Sequence, residues 1–195
     1  LPISYFDMEI FMKYLPFSNF TKRNLFTRQC IGQAITELLK SGDFEHITVS
    51  DIVKKAGVSR MTFYKYYHTK NDVIKDYMQE IIAGYLETTG NHFTMSEFQD
   101  KSHIKDAILF FDKYADFLLT MSDARQYYII VEALNDFMLK YVYPEYNGSV
   151  YELYFYAGAL LNTFLKWEEL GKSESVDEIV DIVISLIKRN NLSLT

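Results

Sequence analysis

The chain has 195 residues, 49% hydrophobic and 24% charged, with a formal net charge of −6, a balance that excludes disordered and fibrous classes. It is long enough for one large domain or for a small domain fused to a larger one, and no apolar run reaches the ~18 to 20 residues of a membrane span, so no membrane partner is expected. The acidic total hides an asymmetry: residues 22–77 hold ten Lys and Arg against six Asp and Glu, while the remainder holds ten against twenty. One short basic segment within an acidic protein argues for a local anionic partner and against indiscriminate coating of nucleic acid.

Residues 1–20 are apolar and aromatic, but Asp7 and Glu9 sit where a signal peptide carries positive charge. Export is not expected, and the role of this extension is open. Gly and Pro are scarce and apolar residues recur at three- and four-residue spacing, so an all-α protein is expected. Thr21 is read as the cap of a first helix running to about Lys40, with Phe26, Cys30, Ile31, Ala34, Ile35, Leu38 and Leu39 as its buried stripe and Gly42 closing it. The lone Cys30 has no partner for an internal disulfide, which fits a reducing cytoplasm and a buried apolar role. Two short helices over 48–55 and 59–66 follow, capped by Thr48 and Ser59 and separated by Ala56, Gly57 and Val58. A fourth opens at Thr69, which forms a capping box with Asp72, and runs to the region of Thr88. After a break over Gly90–Ser96, helices are expected near 98–120, 123–143, 149–171 and 175–190, the last two opened by capping boxes of Ser149 with Glu152 and Ser175 with Glu178.

The stretch from Phe44 to Lys70 has the mechanics of a helix-turn-helix. Val49, Ile52, Val53 and Ala56 form an apolar face on the first short helix, Gly57 permits the positive φ of the turn, and Val58 inserts between the helices. The second helix turns Phe63 and Tyr67 inward and projects Arg60, Met61, Thr62, Tyr64, Lys65 and Tyr66. A helix start with a capping Ser, basic residues and hydroxyls suits entry into the major groove, where Lys70 is placed to neutralise a phosphate. Short helices joined by a glycine turn also occur in proteins that bind no DNA, so spacing alone leaves both readings open.

The same stretch resembles the DNA-binding segment of the TetR family, over about residues 25–80. It supplies Thr48, Ile52, Val53, Ala56, Gly57, Val58, Ser59, Thr62, Tyr64, Tyr66, Tyr67, Thr69, Lys70 and Val73 in the family's register. The resemblance implies a helix-turn-helix domain over 21–68 and a helical dimerisation and effector-binding domain over 69–195, with 1–20 outside both. Thr48 and Ser59, with Arg60, Met61, Thr62, Tyr64, Lys65, Tyr66 and Lys70, are the expected DNA-binding residues; the resemblance implies that Thr62 and Tyr64 contact the sugar-phosphate backbone, Lys65 and Tyr66 lie near base edges or phosphates, Lys70 holds the backbone, and Arg60 and Met61 face the groove. Met61 departs from the pattern, which has Gly there; its side chain either meets a thymine methyl or holds the helix start outward.

The acidic half is rich in aromatics, which serve as core or as an apolar pocket with orienting hydroxyls. Tyr114, Tyr127, Tyr128, Tyr154 and Trp167 are the expected effector-binding residues. Small residues amid large ones at 156–161 and an unusually apolar final helix offer more apolar surface than one bundle face consumes. Ala157, Gly158, Leu161, Phe164, Ile179, Val183, Leu186 and Ile187 are therefore the expected homodimer interface, which resembles the family's four-helix bundle of paired subunits. The pattern from Gly158 through Trp167 to Gly171 and Ser175 is similar to the family's subgroup of dihydroxyacetone kinase regulators.

The reading at this point is a cytoplasmic, ligand-responsive repressor that binds a near-palindromic duplex as a homodimer. The rival classes are an enzyme and a protein-interaction module of the same fold with little DNA binding of its own. His46, His68, His92 and His103 lack metal-ligand spacing, Cys30 has no base nearby in sequence, and no Gly-rich phosphate loop is present, so no catalytic activity, metal or cofactor is expected.

Overall fold

A computed structural model describes residues 22–89 and 100–192, and every regular element among them is helical. The N-terminal extension, the cap at Thr21 and the break over Gly90–Ser96 lie outside the described residues. Helices α1 (Lys22–Leu39), α2 (Val49–Ala56), α3 (Arg60–Tyr66) and α4 (Lys70–Thr89) follow one another, with a single 3-10 turn at Phe44–His46 between the first two. Then come α5 (Lys101–Asp112), α6 (Ala115–Asp123), α7 (Tyr127–Phe137), α8 (Val150–Glu169) and α9 (Val176–Leu192). The chain divides into two compact units: α1 to α4 with Thr120–Leu134, and α5 to Leu119 with Asn135 onward.

In the first unit α1 packs against α2 and α4 around Leu25, Ile31, Ile35, Phe44, Ile52, Phe63, Ile74, Met78 and Ile82, all buried. The stripe expected on α1 is rotated. Ile31, Ala34, Ile35 and Leu39 are buried as read, but Phe26 is 63% exposed and Leu25 and Arg28 take the inward positions. The physical reason is an ion pair: Arg28 is drawn into the α1–α4 seam by Asp76 and Glu80, and a core cation is invisible to a search for apolar periodicity. Cys30 is half-buried, and desolvation pushes its thiol above the ordinary range.

In the second unit α5 lies against α9, with ion pairs from Lys101 to Asp181 (2.5 Å) and from Lys105 to Asp177 (2.7 Å) flanking Ile104, Ile108, Val180 and Val183. The capping boxes read at Thr69, Ser149 and Ser175 are all formed. Asp72 accepts the Thr69 N–H at 2.7 Å, Glu152 accepts the Ser149 N–H at 3.0 Å and Glu178 accepts the Ser175 N–H at 2.7 Å, while each hydroxyl takes a backbone N–H in return. Each box satisfies two of the amides that a helix start leaves without intrahelical partners.

Two boundaries differ from the sequence reading. The helix expected over 98–120 is two helices, because the N–H groups of Lys113 and Tyr114 bond three residues back, to Phe110 and Phe111, and tighten the chain between α5 and α6. The next break falls at Ala124–Gln126 instead of near 122, closed by Arg125 in the left-handed region (φ 58°), where the Gln126 N–H reaches the Met121 carbonyl at 2.8 Å. Neither break contains Gly or Pro, so punctuation by those residues could not reveal it. Helix α7 loosens into a π-helical stretch at Met138–Val142 before the 3-10 turn at Tyr143–Glu145, where Pro144 ends the run.

Candidate nucleic-acid interface

Helix α2 starts at Thr48, whose N–H donates to Asp51 at 2.9 Å while the Asp51 N–H donates to the Thr48 hydroxyl at 3.3 Å. The Thr48 hydroxyl also donates to that carboxylate at 2.6 Å and holds Asp51 below the usual carboxylate range. At the other end Gly57 takes φ 68°, ψ 30°, the left-handed turn expected of it, and Val58 is half-buried. The turn delivers the chain to Ser59, which caps α3 by accepting the Thr62 N–H at 3.0 Å; the two hydroxyls lie 2.8 Å apart.

With both ends fixed, α3 divides its side chains sharply. Phe63 is fully buried and Tyr67, next after the helix, is nearly so, their rings 5.6 Å apart. The Tyr67 hydroxyl donates to Asp76 at 2.7 Å. Asp76 also accepts from Nε and Nη2 of the Arg28 guanidinium, and the same Nη2 lies 3.2 Å from Glu80. This network ties the end of α3 to α1 and α4 at once. Burial and the Asp76 carboxylate push Glu80 up to about 8, against the opposing pull of Arg28. Desolvation and the same carboxylates raise the Tyr67 phenol far above its ordinary value, so it stays a donor. Sequence reasoning missed this network, because Arg28 lies about fifty residues from Asp76 and Glu80 and none of the three belongs to the stretch from Phe44 to Lys70.

The opposite face of α3 carries Arg60, Met61, Tyr64 and Lys65, all exposed. Positions 60, 61, 64 and 65 are neighbours on one side of a 3.6-residue helix. Thr62 is half-buried and engaged with Ser59, and Tyr66 is half-buried with its hydroxyl donating to Asn24 of α1 at 2.8 Å. The Lys65 ammonium lies 5.3 Å from the centre of the Tyr66 ring. The structure thus divides the sequence set: four side chains point to solvent, while Thr48, Ser59, Thr62 and Tyr66 also organise the element that carries them. Lys70 has a structural task as well. Its ammonium donates to the carbonyls of Phe44, Glu45 (3.2 Å) and Ile47 (3.1 Å) and lies 4.3 Å from the centre of the Phe44 ring, tying the 3-10 turn to α4. Lys54 and Lys55 at the end of α2 add exposed positive charge to the same unit.

The expected effector residues are distributed differently. Tyr127 and Tyr128 belong to the first unit, where Asn71 lies 3.5 Å from the Tyr128 hydroxyl. Tyr114, Tyr154 and Trp167 belong to the second. Trp167 is buried against Phe164, and its indole N–H donates to the Glu174 carbonyl at 2.8 Å, closing the turn between α8 and α9. Of the expected dimer residues, Ala157, Leu161, Phe164, Ile179, Val183 and Ile187 are buried within the single chain, Gly158 is half-buried and Leu186 is exposed. Both helices carry apolar residues on more than one side, so periodicity alone assigns no side to the chain's own core. The apolar positions left outward are Tyr151, Tyr154, Phe155 and Ala159 on α8 and Ile182 and Leu186 on α9. Phe155, Ala159 and Leu186 also line a shallow apolar cleft where the two helices meet.

Residues 31–77 match the family model of bacterial regulatory proteins, tetR family. Over 54 residues the chain is 39% identical to YxbF, an uncharacterized HTH-type transcriptional regulator of Bacillus subtilis (strain 168), a stretch that is 28% of this chain and 14% of that protein. Over 72 residues it is 25% identical to DhaS, the HTH-type dhaKLM operon transcriptional activator of Lactococcus lactis subsp. lactis (strain IL1403), covering 37% of this chain and 38% of that one. The aligned segments therefore span well under half the length of these curated relatives. Among solved structures, a dihydroxyacetone kinase operon activator DhaS superposes with a TM-score of 0.55 at 16% identity over 85% of this chain and 96% of its own. A Clostridium perfringens protein described as a fatty acid metabolism regulator gives 0.51 at 16% identity, over 80% and 94%. At such identity these likenesses speak for the fold: an N-terminal helix-turn-helix followed by a larger helical body.

Proposed function

We propose that the chain, whose residues 31–77 match the tetR family model of bacterial regulatory proteins and which resembles HTH-type transcriptional regulators, is a DNA-binding transcriptional regulator that binds a near-palindromic operator as a homodimer. The observation that carries the proposal is the division of α3, with Phe63 locked in the core and Arg60, Met61, Tyr64 and Lys65 left outward on a capped helix. In this reading Arg60 and Lys65 meet phosphates or guanine edges, Tyr64 and Thr62 the sugar-phosphate backbone, and Thr48, Ser59 and Tyr66 hold the element in register. Lys70 contributes by stiffening the turn before α2, and its positive end strengthens the field toward the duplex.

Two reading heads require a pair of chains. The partner face in this proposal is the outward apolar strip of Phe155, Ala159, Ile182 and Leu186, which a two-fold axis would pack against its own copy. Repression by operator occupancy is the output we propose. Activation is the second reading, favoured by the relatives named as operon activators. An effector would act in either case only through its differential affinity for two spacings of the heads; Tyr127 and Tyr128 in the first unit, and Tyr114, Tyr154 and Trp167 in the second, are separate candidates for contacting it. The experiment is selection of bound duplexes from a random pool by the full chain, followed by affinity measurement against salt. A regulator enriches a two-fold symmetric sequence and loses affinity steeply as salt rises. A protein-interaction module of the same fold enriches nothing and binds weakly without regard to sequence. Coupling the enriched site to a reporter then separates repression from activation.

A further inference from the structure

Met61 stands at the second position of α3 and, at 83% exposure, is the most solvent-exposed large apolar side chain among the described residues. Among the described residues the anchoring of α3 does not involve it: the helix is anchored by Phe63 and Tyr67, capped by Ser59, and tied to α1 through Tyr66 and Asn24. Its neighbours on the outward face are polar or cationic, namely Arg60, Tyr64 three residues on and Lys65 four residues on. An unbranched thioether kept in water beside two cations is costly surface unless it is covered on binding.

We propose that Met61 is a specificity-determining residue that reads the C5-methyl group of a thymine in each half-site. The inference rests on the DNA-binding reading above and deepens it. The thymine methyl is the apolar feature that base pairs present in the major groove, and residues at the start of a groove-entering helix are those that meet base edges. Consecutive helix positions leave the axis about 100° apart, so Arg60 and Met61 serve different targets from one turn. A methionine, with three rotatable bonds and a polarizable sulfur, follows a methyl whose position a branched side chain would miss.

The test uses the full chain and the symmetric duplex it enriches from a random pool. Each thymine is replaced in turn by deoxyuridine, which removes only the methyl group, and the affinity is compared for the native chain, Met61→Gly and Met61→Ala. Circular dichroism and the dimer mass serve as controls on folding. The expected result is a loss at one thymine per half-site of about fourfold, or about 15-fold when both half-sites are changed, as for burial of one methyl-sized group. Both variants are expected to bind thymine and deoxyuridine duplexes alike. The inference is overturned if the native chain is indifferent to every replacement, or if the variants keep the same thymine preference. It is equally overturned if Met61→Gly tightens binding to all duplexes without regard to methyl groups, which would make the side chain a spacer. Failure to enrich any sequence would instead overturn the regulator reading itself.

Discussion

The outward face of α3 and the outward faces of α8 and α9 are both what remains after neighbouring side chains have filled a core, and their chemistry is opposite. On α3 the residue turned fully inward is Phe63, and the residues left out include Arg60, Tyr64 and Lys65. On α8 and α9 the inward set is Leu161, Phe164, Val183 and Ile187, and the outward set is again apolar, with Phe155, Ile182 and Leu186 exposed. A helix whose solvent side is cationic is suited to a polyanion, whereas one whose solvent side is apolar is suited to a second protein surface. Burial within one chain therefore sorts surfaces that net charge alone cannot, since the protein as a whole is acidic.

That comparison can be broken at its strongest point, the frame that holds α3 against α1 and α4. Arg28→Ala leaves Asp76 and Glu80 buried without their cation, and is expected to cost about 3–5 kcal/mol. Thermal unfolding should register this as a fall in Tm of about 10 °C, with loss of duplex binding as α3 loses its anchor. A fall of a degree or less would mean that the network carries little of the head's stability.

The next largest effect is expected on the apolar side. In the proposed homodimer Leu186→Glu would put two carboxylates near the two-fold axis and should weaken self-association by about 100-fold or more, as read by sedimentation, while the helical signal is retained. Because Leu186 is 51% exposed in the single chain, a simple core defect should not follow. An unchanged dimer would move the interface away from α8 and α9.

A smaller effect is expected from pH. Glu80 is raised from an ordinary 4.5 to about 8 by burial and by Asp76, with Arg28 pulling the other way and the Tyr67 hydroxyl turned to Asp76. The folded head thus holds a proton that the unfolded chain has released. Its stabilising contribution is complete below about 4.5 and is lost as pH rises through about 8. Chemical denaturation across that window should show stability declining with pH, and Glu80→Gln should flatten the decline. A native protein whose stability rises over the same range would contradict the assignment.

Much of the head was legible because its signals are local. Thr48, Gly57, Ser59 and Thr69 act on backbone within three or four residues of themselves, and each does in the structure what its position implied. Phe63 and Tyr67 were likewise placed inward by simple helical spacing. What escaped was non-local or unconventional. Arg28 occupies a core position that pattern reading reserves for Phe26, because its partners come from a helix some fifty residues away. Arg125 makes a left-handed closure usually left to Gly. The side of α8 that faces the chain's own core, with Leu161, Phe164 and Trp167 buried, is not separated by periodicity from the apolar side left outward. The position of Lys70 in a motif implies its charge, whereas the three carbonyls around its ammonium are brought together only by the fold.

The central claim is that the outward face of α3 enters a groove of duplex DNA, and it is tested most directly by measuring the affinity of the Arg60→Ala, Tyr64→Ala, Lys65→Ala triple variant for the enriched duplex and for a scrambled one. All three side chains are exposed, so the variant is expected to keep its fold and the oligomeric state of the native chain. The account predicts that preference for the enriched duplex falls by about 30-fold or more, the sum of two or more lost contacts of about 1–3 kcal/mol, with a shallower dependence on salt. A folded, dimeric variant that binds the enriched duplex as tightly and as selectively as the native chain would contradict it.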